Sequence, residues 1–188
     1  MFIQTEATPN PAVLKFLPGR TLMPEGTREF RDEAEARAST LAVDLFDVGG
    51  IRRVFFGQDF LTVTKDDDSD WAYLKAPILA AIMDHFTHGG PLLNGAEREA
   101  ADGEVYEGEN AQIVAEIKDL LDSRIRPAVA QDGGDILFSR FEPDTGVVWL
   151  HMRGACAGCP SSAATLKAGV ETMLRHYVPE VTRVAQAL

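Results

Sequence analysis

The chain has 188 residues, of which 45% are hydrophobic and 25% charged, with a formal net charge of −11 and only two cysteines. This composition excludes a disordered or collagen-like chain and a disulfide-stapled scaffold. The acidic balance disfavours nucleic acid as a partner, and the absence of an apolar run of roughly 18 residues disfavours a membrane.

The first half of the sequence predicts a small sheet with helices. Two short strands, Met1–Glu6 and Ala12–Phe16, flank a turn rich in proline. Arg31–Phe46 predicts one helix, because its apolar residues recur every three or four positions. Two β-branched and aromatic runs, Ile51–Phe56 and Phe60–Lys65, are separated by a short polar turn and predict a hairpin.

The last helix of this half is predicted to begin at Pro77, since proline suits the first helical turn, and to end near His85. Asp70 is expected to cap a turn that begins at Trp71. The resulting order, ββαββα, predicts an α+β fold in which helices cover one face of the sheet.

An acidic stretch, Gly89–Glu109, separates the two halves of the chain. Residues 96–110 contain six acidic residues and one basic residue, with few large apolar side chains. Repelling like charges and turn-forming residues predict an extended, flexible linker. We therefore expect two small domains, residues 1–88 and 110–188, joined by an acidic linker over residues 89–109.

The second half predicts the order αββαβ, again a short sheet with helices on one face. Apolar positions from Ile113 to Ile125 indicate a helix that Pro127 ends or kinks. A second helix is predicted over Pro160–Tyr177. Strands are predicted at Ile136–Phe141, Val147–Met152 and Val181–Ala185.

Both cysteines, Cys156 and Cys159, lie in a C-x-x-C motif between a predicted strand and a predicted helix. Free amide groups and the positive end of the helix dipole favour anionic sulfur at such a position. The motif and its position both lower thiol pKa values, so we expect metal-binding thiolates near neutral pH. Gly154 and Gly158 would let the backbone approach a ligand closely.

Several interpretations of this pair are open. Two inert, buried cysteines are one, although a glycine-rich loop is a poor place to bury thiols. A thioredoxin-like dithiol oxidoreductase is another, but only 29 residues follow Cys159, too few for the remaining elements of that fold.

Zinc is a further alternative, and it requires four nitrogen or sulfur ligands. His151 precedes Cys156 by five residues, on a strand where it could point either way. His176 would lie roughly 25 Å along its helix from the motif, too far to bind the same ion. A zinc-binding interaction module with a four-thiolate site shared by two chains therefore stays open.

An iron–sulfur cluster is the fourth interpretation. Such clusters prefer four thiolates, and one chain supplies two, so two protomers would hold one cluster across a two-fold axis. Opening this homodimer would release the cluster to an acceptor that supplies more ligands from one chain. The exchange of thiolates needs no general base, so we expect a transfer protein without catalytic residues or enzymatic turnover.

Two pairs of sequence blocks resemble a known family. Gln131–Asp135 together with Met152–Ser162 closely resembles the NifU C-terminal-type domain. Met1–Pro11 together with Asp47–Lys65 resembles the N-terminal domain that accompanies it in Nfu-type scaffold proteins. The resemblance extends over nearly the whole chain, with the acidic linker as the unmatched part.

This resemblance implies a scaffold or carrier that binds a [4Fe–4S] cluster, with a [2Fe–2S] precursor left open, and delivers it to apo-protein clients. Cys156 and Cys159 match the cluster ligands, which an upstream assembly machinery would load. Asp132–Asp135 matches a family segment that is equally well a tight turn into a strand, and we assign it no ligation. The N-terminal domain would dock clients. The first residues resemble neither a secretory signal nor a transit peptide, which favours a bacterial cytoplasmic protein over a processed form in the mitochondrial matrix.

Overall fold

The structure is a computed structural model that describes residues 2–95, 105–158 and 160–187. The chain divides into two compact units, Met1–Arg98 and Glu99–Leu188, each with its own hydrophobic core. The predicted class, two α+β regions that each combine a sheet with helices, is confirmed. None of the helices in the described ranges is long and apolar enough to cross a membrane.

The N-terminal unit contains a five-stranded antiparallel sheet. Its strands are β1 (Gln4–Ala7), β2 (Val13–Leu17), β3 (Arg28–Phe30), β4 (Ile51–Phe56) and β5 (Leu61–Lys65). They lie in the order β1-β2-β5-β4-β3, and β4 and β5 form the predicted hairpin. Strand β3 was not predicted, because three residues are too few to display an alternating pattern.

The prediction of one helix over Arg31–Phe46 is wrong. The segment contains two helices, α1 (Glu33–Ala36) and α2 (Thr40–Asp47), separated at Ser39. Ser39 has extended backbone (φ −145°, ψ 123°), and its hydroxyl accepts a hydrogen bond from the Ala42 N–H at 3.2 Å. This cap satisfies a backbone donor at the start of α2 and so favours a new helix start at Ser39.

Helix α3 (Trp71–His88) begins six residues before the predicted start at Pro77, which is therefore wrong. Asp70 is the N-cap, and its Oδ1 accepts from the Ala72 N–H at 2.9 Å, which confirms the predicted cap. Pro77 lies inside the helix on an exposed turn, where its ring points away from the core. Helices α1, α2 and α3 all pack on one face of the sheet.

In its described residues, the C-terminal unit combines three α-helices, one π-helical segment and a three-stranded sheet. The strands are β6 (Gly134–Glu142), β7 (Val147–Gly154) and β8 (Arg183–Gln186), in the order β6-β7-β8. The helical elements are α4 (Gly108–Leu120), the π segment (Leu121–Ile125), α5 (Arg126–Gln131) and α6 (Pro160–Tyr177). β6 and β7 are antiparallel, whereas β8 runs parallel to β7 after the α6 connection.

Pro127 neither ends nor simply kinks the helical run. The run changes to a π turn before it, in which the Arg126 N–H donates to the Leu121 carbonyl five residues back. Wider π hydrogen bonding accommodates a proline that has no N–H to offer, and helix α5 continues to Gln131.

Tyr106 ties the chain before α4 to the free edge of β6. Its hydroxyl accepts from the Phe141 N–H at 2.7 Å and donates to the Phe141 carbonyl at 3.0 Å. Tyr106 and the first two residues of α4 lie within the stretch that the sequence assigns to the linker. Both polar groups of an edge residue are thereby satisfied, which blunts this edge against strand addition.

Candidate functional site

The C-x-x-C loop follows directly from the end of β7. Gly154 closes the strand with φ +61°, and the loop continues through Cys156 to Gly158, which has φ +85°. Cys159 lies outside the described residues, and α6 begins at Pro160. The strand predicted before the motif and the helix predicted after it are therefore both confirmed.

The loop is held by one backbone hydrogen bond to the turn that precedes β6 and by another to the end of β7. The Ala155 N–H donates to the Gly133 carbonyl at 3.1 Å, and the Cys156 N–H donates to the Arg153 carbonyl at 3.3 Å. The Asp132–Asp135 segment thus forms a tight turn into a strand, and this turn lies directly against the cysteine loop.

Gly134 lies against the sulfur of Cys156. A Cβ added at Gly134 would overlap Cys156 Sγ and come within 2.9 Å of the Arg153 carbonyl oxygen. The sulfur belongs to a buried side chain and the oxygen to the backbone, so neither atom can readily move away from an added Cβ. Only glycine fits at this position, and its lack of a side chain fixes where the thiol lies.

Asp135, the last residue of the turn, is buried and held by a bidentate ion pair. Arg126 donates from Nε to Oδ1 at 2.8 Å and from Nη2 to Oδ2 at 2.9 Å. The same guanidinium donates to Asp122 at 2.8 Å, one helical turn before it. The fork anchors the start of β6 to the junction between the π segment and α5.

The environment of Cys156 differs from the sequence prediction. Its side chain is 6% exposed and belongs to the hydrophobic core of the C-terminal unit. Burial, with smaller effects from Asp132 and Asp135, raises the pKa of Cys156 to about 12. The expected lowering of the Cys156 pKa is therefore wrong, because desolvation and nearby carboxylates outweigh the effect of the helix end.

The two histidines of the zinc alternative lie on β7 and near the far end of α6. His151 is half-buried on β7. Its neighbours in the strand, Leu150 and Met152, belong to the core, so His151 lies on the opposite face of the sheet. His176 is exposed near the far end of α6. Within the described ranges, no three His, Cys, Asp or Glu side chains converge in a way that could hold a metal ion.

Sequence reasoning missed two residues that shape this site, Gly134 and Arg126. The double glycine of the turn was a visible signal, but the sequence does not tell which of the two faces the cysteine. Arg126 carried no signal at all, since an arginine beside a proline in a helical run is unremarkable without knowledge of its partner.

Comparison with known proteins gives matches over most of the chain. The family model described as "Scaffold protein Nfu/NifU N terminal" matches residues 3–89, and that described as "NifU-like domain" matches residues 117–185. The chain is 50% identical over 186 residues to "NifU-like protein 4, mitochondrial" of Arabidopsis thaliana, covering 99% of this chain and 66% of that protein. It is 48% identical over 189 residues to the Homo sapiens "NFU1 iron-sulfur cluster scaffold homolog, mitochondrial", covering 100% of this chain and 72% of that protein.

The chain thus spans about two thirds of the length of these curated relatives. Among solved structures, a NifU-like protein from Saccharomyces cerevisiae aligns with a TM-score of 0.47 and 26% identity, over 52% of this chain and 87% of that one.

Proposed function

Since the chain belongs to the Nfu/NifU family of scaffold proteins, we propose that it binds an iron–sulfur cluster as cargo and delivers it to apo-proteins. Support comes from the family models at both ends of the chain and from relatives whose names describe iron–sulfur cluster scaffolds. Two kinds of partner follow: the assembly machinery that loads the cluster onto this protein, and the clients that receive it.

The ligands in this proposal are the thiolates of Cys156 and Cys159. Each chain supplies two, and a [4Fe–4S] cluster takes four, so two protomers hold one cluster between them. A [2Fe–2S] precursor would use the same four thiolates. The apo form is then a monomer, and loading produces the homodimer.

One observation carries the proposal: the position of Cys156 is fixed by backbone rather than by flexible side chains. The neighbouring Ala155 N–H is held by the Gly133 carbonyl, and Gly134 leaves space only for the sulfur. The thiol therefore lies at one defined position in each protomer. Because it is buried there, binding a cluster shared across a two-fold axis requires the loop to turn the sulfur outward.

Transfer proceeds by exchange of thiolates on iron. Each incoming client thiol loses its proton and forms an iron–sulfur bond, and each Cys156 or Cys159 thiolate that leaves takes up a proton. No electron is transferred and no general base is needed. A client that supplies its ligands from one chain avoids the entropy cost of association, so transfer runs towards the client. The protein is accordingly a carrier rather than an enzyme.

Anaerobic reconstitution with ferrous iron and sulfide tests this proposal. We expect about two irons per chain and a doubled mass on loading. Cys156→Ser and Cys159→Ser should abolish cluster retention with an unchanged far-UV spectrum, whereas Ala164→Ser, on the exposed side of α6, should load normally. About four irons per chain, or a loaded monomer, would contradict the shared cluster.

The alternatives give different results in the same preparation. Turnover of metal-free protein in an insulin-reduction assay, without cluster retention, would indicate the dithiol oxidoreductase. One zinc per two chains and no loading with iron would indicate the zinc-binding module. The relatives named above are mitochondrial, whereas the sequence prediction for this chain is the bacterial cytoplasm; its location stays a prediction.

A further inference from the structure

One exposed stripe of α3 is uncharged over about three turns, and the exposed Lys75 lies beside it. Five residues at helical spacing form it, and we call them the α3 patch: Tyr73, Ala76, Pro77, Ala80 and Met83. All five are exposed, Tyr73 at 82% and Met83 at 43%. The opposite side of the same helix is buried in the core, so α3 is apolar on both sides. A surface helix normally carries charged residues on its outer side.

Pro77 adds a polar feature to the centre of this patch. Because proline has no N–H, the Tyr73 carbonyl has no donor four residues further along the helix. An interior proline destabilises a helix, and because Pro77 is exposed, packing of its ring in the core does not offset that cost. The α3 patch therefore combines an apolar surface with a backbone carbonyl, that of Tyr73, which can accept a hydrogen bond from a partner protein.

Carboxylates bracket the α3 patch at both ends. Asp67, Asp68 and Asp70 are exposed just before the helix, and Asp84 is exposed after Met83. From Asp70 to Asp84 the helix rises about 21 Å, so the two negative ends are well separated. A partner that covers the patch must bring positive charge to both ends or bury these carboxylates against its own surface.

We propose that the α3 patch is a docking surface for a partner protein, which contributes an amphipathic helix with an apolar face bracketed by lysine or arginine side chains. Tyrosine and methionine are typical of such surfaces because they bury large area and adapt to the partner. A second copy of this chain fits less well, since antiparallel α3 helices would bring Asp84 of each against Asp70 of the other. If the proposed function holds, the partner is a client or a cluster donor.

The binding of a defined peptide to the full chain tests this surface. The probe is a fluorescent synthetic helix of about 20 residues, long enough to cover the patch, with a leucine face and lysines at both ends. We expect saturable binding that weakens with salt. Ala76→Glu and Ala80→Glu should each weaken it at least about tenfold. Ala34→Glu, the same change at an exposed position of α1, should leave it unchanged.

Several results would overturn the proposal: no binding to the wild-type chain, equal binding to Ala80→Glu, or equal binding of a peptide with glutamates at its ends. Self-association of the metal-free chain that Ala80→Glu abolishes would assign the surface to a second copy instead. The metal-free chain is used throughout, and cluster loading is measured separately. Failure to load a cluster would therefore count against the proposed function and leave the docking result intact.

Discussion

At the scale of single residues, Gly134 decides where the Cys156 thiol lies. The contact is between a Cα hydrogen and the sulfur, so even a methyl group has no space. Most glycines in turns are required for a positive φ, but Gly134 is required for close approach. This distinction separates it from Gly133, which has φ +84°.

Gly134→Ala should displace the sulfur, because the added Cβ overlaps it and the backbone beside it. We expect a loss of about 1–3 kcal/mol of stability, typical of overpacking, and a loss of cluster retention after anaerobic reconstitution. Gly169→Ala on α6, where nothing lies within 4 Å, is the matched control and should stabilise the helix by about 0.5–1 kcal/mol. Normal loading of Gly134→Ala would show that the contact does not position the ligand.

The pair formed by Arg126 and Asp135 is the second residue-scale feature. Arg126→Met removes the ion pair from the buried Asp135 carboxylate, and we expect a loss of about 3–5 kcal/mol of stability, towards the lower end because the guanidinium is 28% exposed. Arg126→Met with Asp135→Asn should recover part of that loss. Urea denaturation followed by Trp149 fluorescence in a Trp71→Phe background measures both. Arg140→Met, in the exposed pair with Glu142, should change stability by less than about 1 kcal/mol.

At the scale of elements, α3 is longer than its sequence indicated and carries an interior proline. A cap at Asp70 and burial of its inner side in the core are sufficient to continue the helix through Pro77. The helix is therefore held by packing rather than by local preference. The same reasoning applies to the π segment before Pro127, where the chain changes its hydrogen bonding and remains helical.

Pro77→Ala should restore the hydrogen bond to the Tyr73 carbonyl. We expect the N-terminal unit to gain about 1–3 kcal/mol of stability in urea denaturation followed by circular dichroism. Pro91→Ala, at an exposed position beyond the helix, is the control and should have an effect of less than about 0.5 kcal/mol. A destabilised Pro77→Ala chain would mean that the proline has contacts that the helix requires.

At the scale of the whole molecule, the two units should respond differently to pH. Burial lowers the pKa of His85 in the N-terminal unit, and Asp44 opposes this effect to a smaller degree. The unfolded chain, with a histidine pKa of about 6.5, then binds more protons than the folded unit below that pH. Stability of this unit therefore falls as the pH falls through about 6.5.

The measurement is the thermal midpoint of the N-terminal unit at about pH 7.5 and pH 5.5, in the wild-type chain and in His85→Gln. We expect a larger decrease on acidification in the wild type, since glutamine removes the group whose protonation opposes folding. An equal decrease in both proteins would assign the acid sensitivity to other groups. His88→Gln, at an exposed position of the same helix, should behave as the wild type does.

The sequence by itself determined the features that depend on neighbouring residues. Hydrophobic periodicity and turn-forming residues are local features of a sequence. They were sufficient to predict strands β4 and β5, the bounds of α6, and the position of the cysteine motif between a strand and a helix. The family resemblance was readable for the same reason, since its motifs are short and contiguous.

Only the tertiary structure decided the features that depend on distant residues. Strand β3 exists because β4 pairs with it, and three residues alone carry no alternating pattern that would indicate it. The contact between Gly134 and Cys156 joins a strand to the loop that follows the neighbouring strand, and the fork from Arg126 to Asp135 joins a helix to a strand. The sequence predicts a lowered pKa for Cys156 because it shows that the residue precedes a helix. It does not show that the folded core desolvates the thiol, which raises the pKa.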